Sequence, residues 1–377
     1  MPSSTSSSDR QRPGRRSAER LTAADRAGVA QPVPERDVPL QPWRGILFAA
    51  FAIVLVLLSL WEWHWRAFDV RPSYRNSEGL WAMQRRRIDH GEGNRTVLLG
   101  ASRVLFDINL DTWERAAGER PIQLALEGTS PVPVLEDLAD DPQFTGRLLV
   151  GVAADIFFTG FSYRGSVFRY YRKQTPSERF GQWLSMHLVE PWLAFYDPDY
   201  ALAAVLLRQD WPLRPGMPQR TLTRKLADSG PDRNTQLWSK LETDPNYRAL
   251  ARGIWAEKFG PVNAAERTKL DKSTEEQIKR AAVAVAKLRA RGVPVLFVRP
   301  PTAGEYLAYD RREFPRARTW DVLLARTGAP GIHFEDYPEL QGYNLPEWSH
   351  LSATEAQRFT AALVRIIERD YWTPAPR

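Results

Sequence analysis

Two short stretches near opposite ends of the chain carry residue types that could do nucleophilic chemistry together. Gly100-Ala101-Ser102-Arg103 follows the apolar run Val97-Leu98-Leu99, and Glu347-Trp348-Ser349-His350-Leu351 lies shortly before the C-terminus. A serine hydroxyl is a weak nucleophile until a base takes its proton, and a histidine base needs a carboxylate to orient its ring. Ser102, His350 and Glu347 supply one residue of each kind. The expected roles are nucleophile, general base and orienting acid in an acyl transfer through a covalent intermediate. Asp336 is also close to His350 in sequence and competes with Glu347 for the third role.

Such residues act only if the fold gathers them. Short apolar runs bounded by polar, Gly or Pro residues predict strands over 96–100, 122–126, 148–152, 295–298 and 332–335, as expected of strands buried on both faces. Helical stretches lie between them, over 110–117 and over 132–139 after Ser130-Pro131. A capping box at Ser273-Thr-Glu-Glu276 predicts a long helix ending near Gly292, and Ser352-Ala-Thr-Glu355 predicts a last helix to about Arg369. The pattern reads as α/β: a doubly wound, flavodoxin-like, mostly parallel five-stranded sheet. In such sheets ligands bind at the carboxyl ends of the strands. Ser102, Gly128, Asp155, Arg299 and His350 each fall just past a different strand, so five distant positions converge on one edge.

The span between the third and fourth strands is too long for one crossover and predicts a helical insertion over about 157–271. Start signals at Thr175-Pro-Ser-Glu178 and at Asp197-Pro, ahead of 201–208, mark two of its helices. The insertion is rich in aromatic residues, among them Phe168, Tyr170, Tyr171, Trp183, Trp192, Phe195, Tyr196, Tyr200 and Trp211. Rooted at the active edge, it could form a lid or substrate platform; most of these rings are expected to build its own core.

From about Arg95 to Ile367, leaving the insertion unmatched, the chain resembles the SGNH (GDSL-like) superfamily of serine hydrolases and acyltransferases. Gly100-Ala101-Ser102-Arg103 resembles the nucleophile block, with Ala where the family often has Asp. Leu126-Glu127-Gly128-Thr129 resembles the second block, and Glu347-Trp348-Ser349-His350-Leu351-Ser352 the DxxHLS block with Glu for Asp. The resemblance implies Ser102 as nucleophile, His350 as base, Glu347 as acid, and the N–H groups of Ser102 and Gly128 as oxyanion donors. The third block, usually GxND, here reads Gly151-Val-Ala-Ala-Asp155, with Ala154 where an asparagine donor would precede the Asp. Losing one such donor weakens transition-state stabilisation by roughly 2.7–4 kcal/mol. Membrane-anchored relatives that modify polysaccharides also diverge in this block. Arg103, Asp155 and Arg299 are candidate substrate contacts; the alternative for the two arginines is pairing with Asp155 or Asp107. His333, inside the last strand, reads as a core histidine.

Composition narrows the setting. The 377-residue chain has a net charge of +7 and no cysteine, which excludes disulfides, thiolate catalysis and cysteine-held metal. Its five histidines are scattered, without metal-ligand spacing. No basic-aromatic module of a nucleic-acid reader is present, and triad chemistry calls for no cofactor. Residues 1–41 read as a disordered basic tail. The uncharged run 45–61 is flanked by Trp43 and by Trp61, Trp63 and Trp65; as a helix it spans about 25 Å, extended by interfacial aromatics. A transmembrane helix is therefore expected over 42–66, then a linker over 67–93 and an SGNH-like domain over 94–372. Eight arginines against five acids up to Arg44 place the N-terminus in the cytoplasm and the domain outside it.

The expectation is a single-pass bacterial inner-membrane protein whose periplasmic domain transfers or removes acyl groups, acetyl foremost, on a surface or exported polysaccharide, with a membrane acyl-donor protein as candidate partner. Substrate class rests on analogy. The rival reading is a catalytically inert SGNH-like module that binds glycan or scaffolds a modification or export complex; Ala154 favours it.

Overall fold

The computed structural model describes residues 41–209 and 225–372. The tail expected over 1–41, all but its last residue, and Trp211 lie outside the described residues. Helix α1 (Trp43–Ala67) is 25 residues long, about 38 Å at 1.5 Å per residue and enough to cross a hydrocarbon core of about 30 Å. Its part up to Leu57 belongs to one compact unit and the chain from Leu58 onward to a second. The 18-residue apolar window of α1 has no buried residue. A helix apolar all round belongs in a protein interior or a membrane, and the described residues do not cover this one. Among the described residues there is thus one helix long and apolar enough to span a membrane.

The second unit is α/β. Its strands are β1 (Thr96–Leu99), β2 (Ile122–Gln123), β3 (Arg147–Gly151), β4 (Ala227–Ser229), β5 (Thr235–Leu237), β6 (Val295–Arg299) and β7 (Gly331–His333). Five of them form one parallel sheet in the order β2-β1-β3-β6-β7. In chain order the helices are α2 (Glu78–Arg87), α3 (Ser102–Asp107), α4 (Leu110–Ala117), α5 (Val132–Asp140), α6 (Ala154–Phe157), α7 (Val167–Lys173), α8 (Pro176–Leu188) and α9 (Leu202–Leu207). There follow α10 (Lys240–Thr243), α11 (Pro245–Ala256), α12 (Ala264–Ala290), α13 (Gly304–Glu313), α14 (Trp320–Thr327) and α15 (Ala353–Asp370).

Alternation along the strands divides the interior into two cores. Leu98, Leu149, Leu296, Val298 and Ile332 pack with residues of α3, α4 and α15. Val97, Leu99, Leu148, Val150, Val295 and Phe297 pack with α5, α12 and α14. Because both faces are covered, the central strands β1, β3 and β6 carry continuous apolar runs. Because all five are parallel, their carboxyl ends share one edge.

Several boundaries differ from expectation. β2 is only two residues long, although its line continues through Leu124 N–H to Leu98 O and Leu126 N–H to Gly100 O, both 2.9 Å. On its outer side Arg233 takes over the pairing, donating to the carbonyls of Gln123 and Ala125 at 2.8 and 2.6 Å. Arg233 is fully buried and sits in the turn between β4 and β5, an unexpected antiparallel hairpin. β7 ends at His333, whose Nδ1 accepts the Glu335 N–H at 3.2 Å and starts a 3-10 turn. The long helix α12 opens ten residues earlier than expected, at a reciprocal capping box of Asn263 and Glu266; the box read at Ser273 lies inside it. The Thr175–Glu178 box does open α8, and Ser352 caps α15.

Candidate active site

Ser102 is the first residue of α3, directly after the turn that leaves β1. The turn needs small residues because the chain passes close to β3. A Cβ on Gly100 or on Gly151 would run into the Val104 side chain, and one on Gly100 would lie 3.5 Å from the Gly151 Cα. Ser102 is half-buried, whereas Glu347 and His350 are fully buried. The hydroxyl is the exposed tip of an otherwise enclosed array.

That array is continuous. Ser102 Oγ lies 2.8 Å from His350 Nε2, and His350 Nδ1 lies 2.8 Å from Glu347 Oε1. The same Oε1 also accepts the His350 backbone N–H at 2.7 Å. With Nδ1 protonated toward the carboxylate, Nε2 is left free to accept the serine proton. Such a tight loop between acid and base requires an unusual backbone: Trp348 has φ +74°, a left-handed conformation that costs a non-glycine residue about 1–3 kcal/mol. Its carbonyl accepts the Ala303 N–H at 2.9 Å, and its ring lies 4.7 Å from the Arg252 guanidinium. Asp336, the competing acid, is instead held at the surface by both outer nitrogens of Arg316, at 2.6 and 2.7 Å.

The insertion completes the array through α11. Asp244 caps this helix, its Oδ1 accepting the N–H groups of Asn246 and Tyr247, and Pro245 fits its first position. Arg252 donates to the Pro346 carbonyl at 2.9 and 2.6 Å, and the Trp255 indole N–H donates to Glu347 Oε2. Both carboxylate oxygens of the acid are therefore hydrogen-bonded. Behind the base, Phe106 packs on the His350 ring at 4.6 Å, and Asp107 Oδ1 accepts the Leu351 N–H at 2.9 Å. Burial pushes the Asp107 carboxyl well above the usual carboxylate range, only partly offset by that N–H and by Arg103.

Past β3 and β6 the residues read as candidate substrate contacts sit inside a buried charge cluster. Asp155 Oδ2 accepts from Lys258 Nζ at 2.6 Å and from the Tyr306 hydroxyl at 2.7 Å. Arg299 donates to Asp310 at 2.6 Å and to the Val152 carbonyl at 3.1 Å. Arg103 lies 3.5 Å from Asp310, 3.9 Å from Asp155 and 4.6 Å from the Tyr306 ring centre. Arg103, Asp155 and Arg299 are all buried. Burial disfavours the charge on Asp155, but Lys258 and Arg103 outweigh it and hold the carboxyl below its ordinary range. Of the alternatives open for the two arginines, this geometry is the pairing one, with Asp310 as a partner that the sequence did not single out.

Gly128 follows β2 in a left-handed turn, φ +56°, where a Cβ would meet the Tyr163 Cβ at 3.1 Å. Its carbonyl accepts the Tyr163 N–H at 2.9 Å, while its own N–H meets no protein acceptor among the described residues. The Ser102 N–H, at a helix start, belongs to the donors that a helix leaves unpaired. Ala154 is buried at the start of α6 and offers only a methyl group. A cleft of about 570 Å³ adjoins the Gly128 turn, lined by Arg75, Asn76, Tyr163, Arg164, Tyr170 and Gln182.

The arrangement can deprotonate a hydroxyl, carry the proton on an imidazole and stabilise the resulting imidazolium. Comparison with family models, with curated proteins and with solved structures returns no match to this chain.

Proposed function

We propose that the protein is a membrane-anchored, extracytoplasmic serine acyltransferase or esterase of SGNH type. Its substrates are O-acyl groups, foremost O-acetyl, of a surface or exported polysaccharide. The single observation that carries the reading is the run of contacts from Ser102 Oγ through His350 to Glu347 at 2.8 Å each.

Ser102 Oγ attacks an ester carbonyl while its proton passes to His350 Nε2. The oxyanion of the tetrahedral intermediate is taken by the N–H groups of Ser102 and Gly128. On collapse the alcohol leaves with the proton from His350, and the acyl group stays on Ser102. A sugar hydroxyl (transfer) or water (hydrolysis) gives its proton to His350, attacks the acyl-serine and restores the enzyme. Glu347 stabilises the imidazolium at both stages. The cleft beside the Gly128 turn offers the rings of Tyr163 and Tyr170 and the Gln182 amide, while Ser102 and His350 do not line it; the Asn76 amide is engaged by Glu127 and Arg233. The apolar helix α1 and the basic N-terminal segment support the anchor and the outward-facing domain.

A fluorophosphonate probe tests the reading, because only an activated serine reacts. Covalent labelling of the native chain at Ser102 is expected. A chain that resists labelling is instead the inert glycan-binding or scaffold module, a reading that the methyl group of Ala154 favours by leaving the oxyanion site without a side-chain donor.

A further inference from the structure

We infer that one face of α8 and the loop behind it rest in the headgroup layer of a lipid bilayer, as a second membrane contact beside α1. The inference rests on the reading of α1 as a membrane span.

In an insertion whose aromatics were expected to be mostly internal, a contiguous group is not. Phe180, Trp183, Leu188 and Trp192 are 60, 47, 63 and 66% exposed. Phe180 stacks on Trp183 at 6.0 Å, Trp183 on His187 at 4.6 Å, and the Trp192 indole N–H reaches the His187 carbonyl at 3.4 Å. Positions 180, 183, 187 and 188 share one face of a helix. On α8, Gln182 instead meets Ser77 at 2.9 Å, ahead of α2.

The place of this stripe is set by the last turns of α1, which belong to the same compact unit. Glu62 accepts the N–H groups of Ala194 and Phe195 at 3.0 and 3.1 Å, and Arg66 donates to the Trp192 carbonyl at 2.9 Å. The segment trailing α8 is thereby fastened to the residues just past the apolar run, among Trp61, Trp63 and Trp65, where a spanning helix meets water. Tryptophan and phenylalanine with leucine on one helix face are the side chains that an interface favours, and the lipid layer continues from the helix that already enters it.

The chain lacks cysteine, so single nitroxide labels report position in the full-length protein reconstituted in phosphatidylglycerol/phosphatidylethanolamine nanodiscs. Labels go on W183C and L188C, with V54C in the span and V283C, an equally exposed site on α12 (53%), as references. The ratio of collision with oxygen to collision with an aqueous nickel chelate is expected to be roughly fivefold higher at 183 and 188 than at 283. Ratios equal to that at 283, with 54 lipid-exposed, overturn this inference and leave the span standing. Water-like ratios at 54 as well overturn both. Labels reached by neither reagent, as under a second copy of the chain, also overturn it. Should the cysteine variants misfold, brominated lipid is applied to the native chain and to W183F/W192F. Loss of part of the quenched tryptophan emission is expected, and an unchanged quenched share overturns the inference.

Discussion

Trp255 and Glu347 meet inside the protein, the indole N–H of the one donating to Oε2 of the other, while His350 occupies Oε1. The acid is thus held from two sides, by its own loop and by the insertion. Trp255→Phe keeps an aromatic ring but removes the donor, leaving a buried carboxylate oxygen unpaired at a cost of about 1–3 kcal/mol. Fluorophosphonate labelling should slow by about tenfold with KM little changed, as followed by labelling time courses and initial rates.

Removing the nucleophile or reversing the acid's hydrogen bond should cost far more. Ser102→Ala is expected to abolish labelling and any acyl turnover while leaving the melting temperature unchanged. Glu347→Gln keeps the shape but favours the wrong imidazole tautomer, and turnover should fall by roughly 10⁴-fold. A serine variant that retains activity in an ester-hydrolysis assay would remove the mechanism altogether.

The charge cluster makes a different prediction. Asp155→Asn takes away the anion that faces Arg103 and Lys258, which leaves the buried Arg103 undercompensated at a cost of about 3–5 kcal/mol. The expected result is a lowered midpoint in urea or thermal unfolding with KM unchanged. A large KM effect at unchanged stability would return Asp155 and its arginines to the role of substrate contacts.

His333 sets part of the acid response. Burial first, then the charges of Arg299 and Arg316, lower its pKa from 6.5 to about 4. Between those values the unfolded chain binds a proton that the folded one refuses, so stability is intact above pH 6.5 and declines as pH falls toward 4. The contribution is on the order of 3 kcal/mol. His333→Asn, which keeps an acceptor for the Glu335 N–H, should flatten this part of the stability profile measured by denaturant unfolding at several pH values.

The sheet was legible because strands buried on both faces write themselves as uninterrupted apolar runs, and Val97-Leu98-Leu99 and Val295-Leu296-Phe297-Val298 do so. Ser102, Glu347 and His350 were legible because their types, order and distance from those runs leave few other ways to meet. Trp255, Lys258, Tyr306 and Asp310 were not, since each matters through a tertiary contact with a partner far away in sequence. The β4–β5 hairpin escaped notice because Ala-Asp-Ser and Thr-Gln-Leu lack a clear apolar pattern, and tertiary contacts place it, of Leu237 with the core of α3 and α15 and of Arg233 with β2. The start of α12 was misplaced because Asn263–Glu266 and Ser273–Glu276 both carry capping chemistry, and only packing selects between them.

Arg233 closes one rim of the sheet. A strand border with free carbonyls is a template on which another chain can add itself, and here a guanidinium already occupies two of those acceptors with no room for a newcomer. That plug removes one route to fibrous self-association.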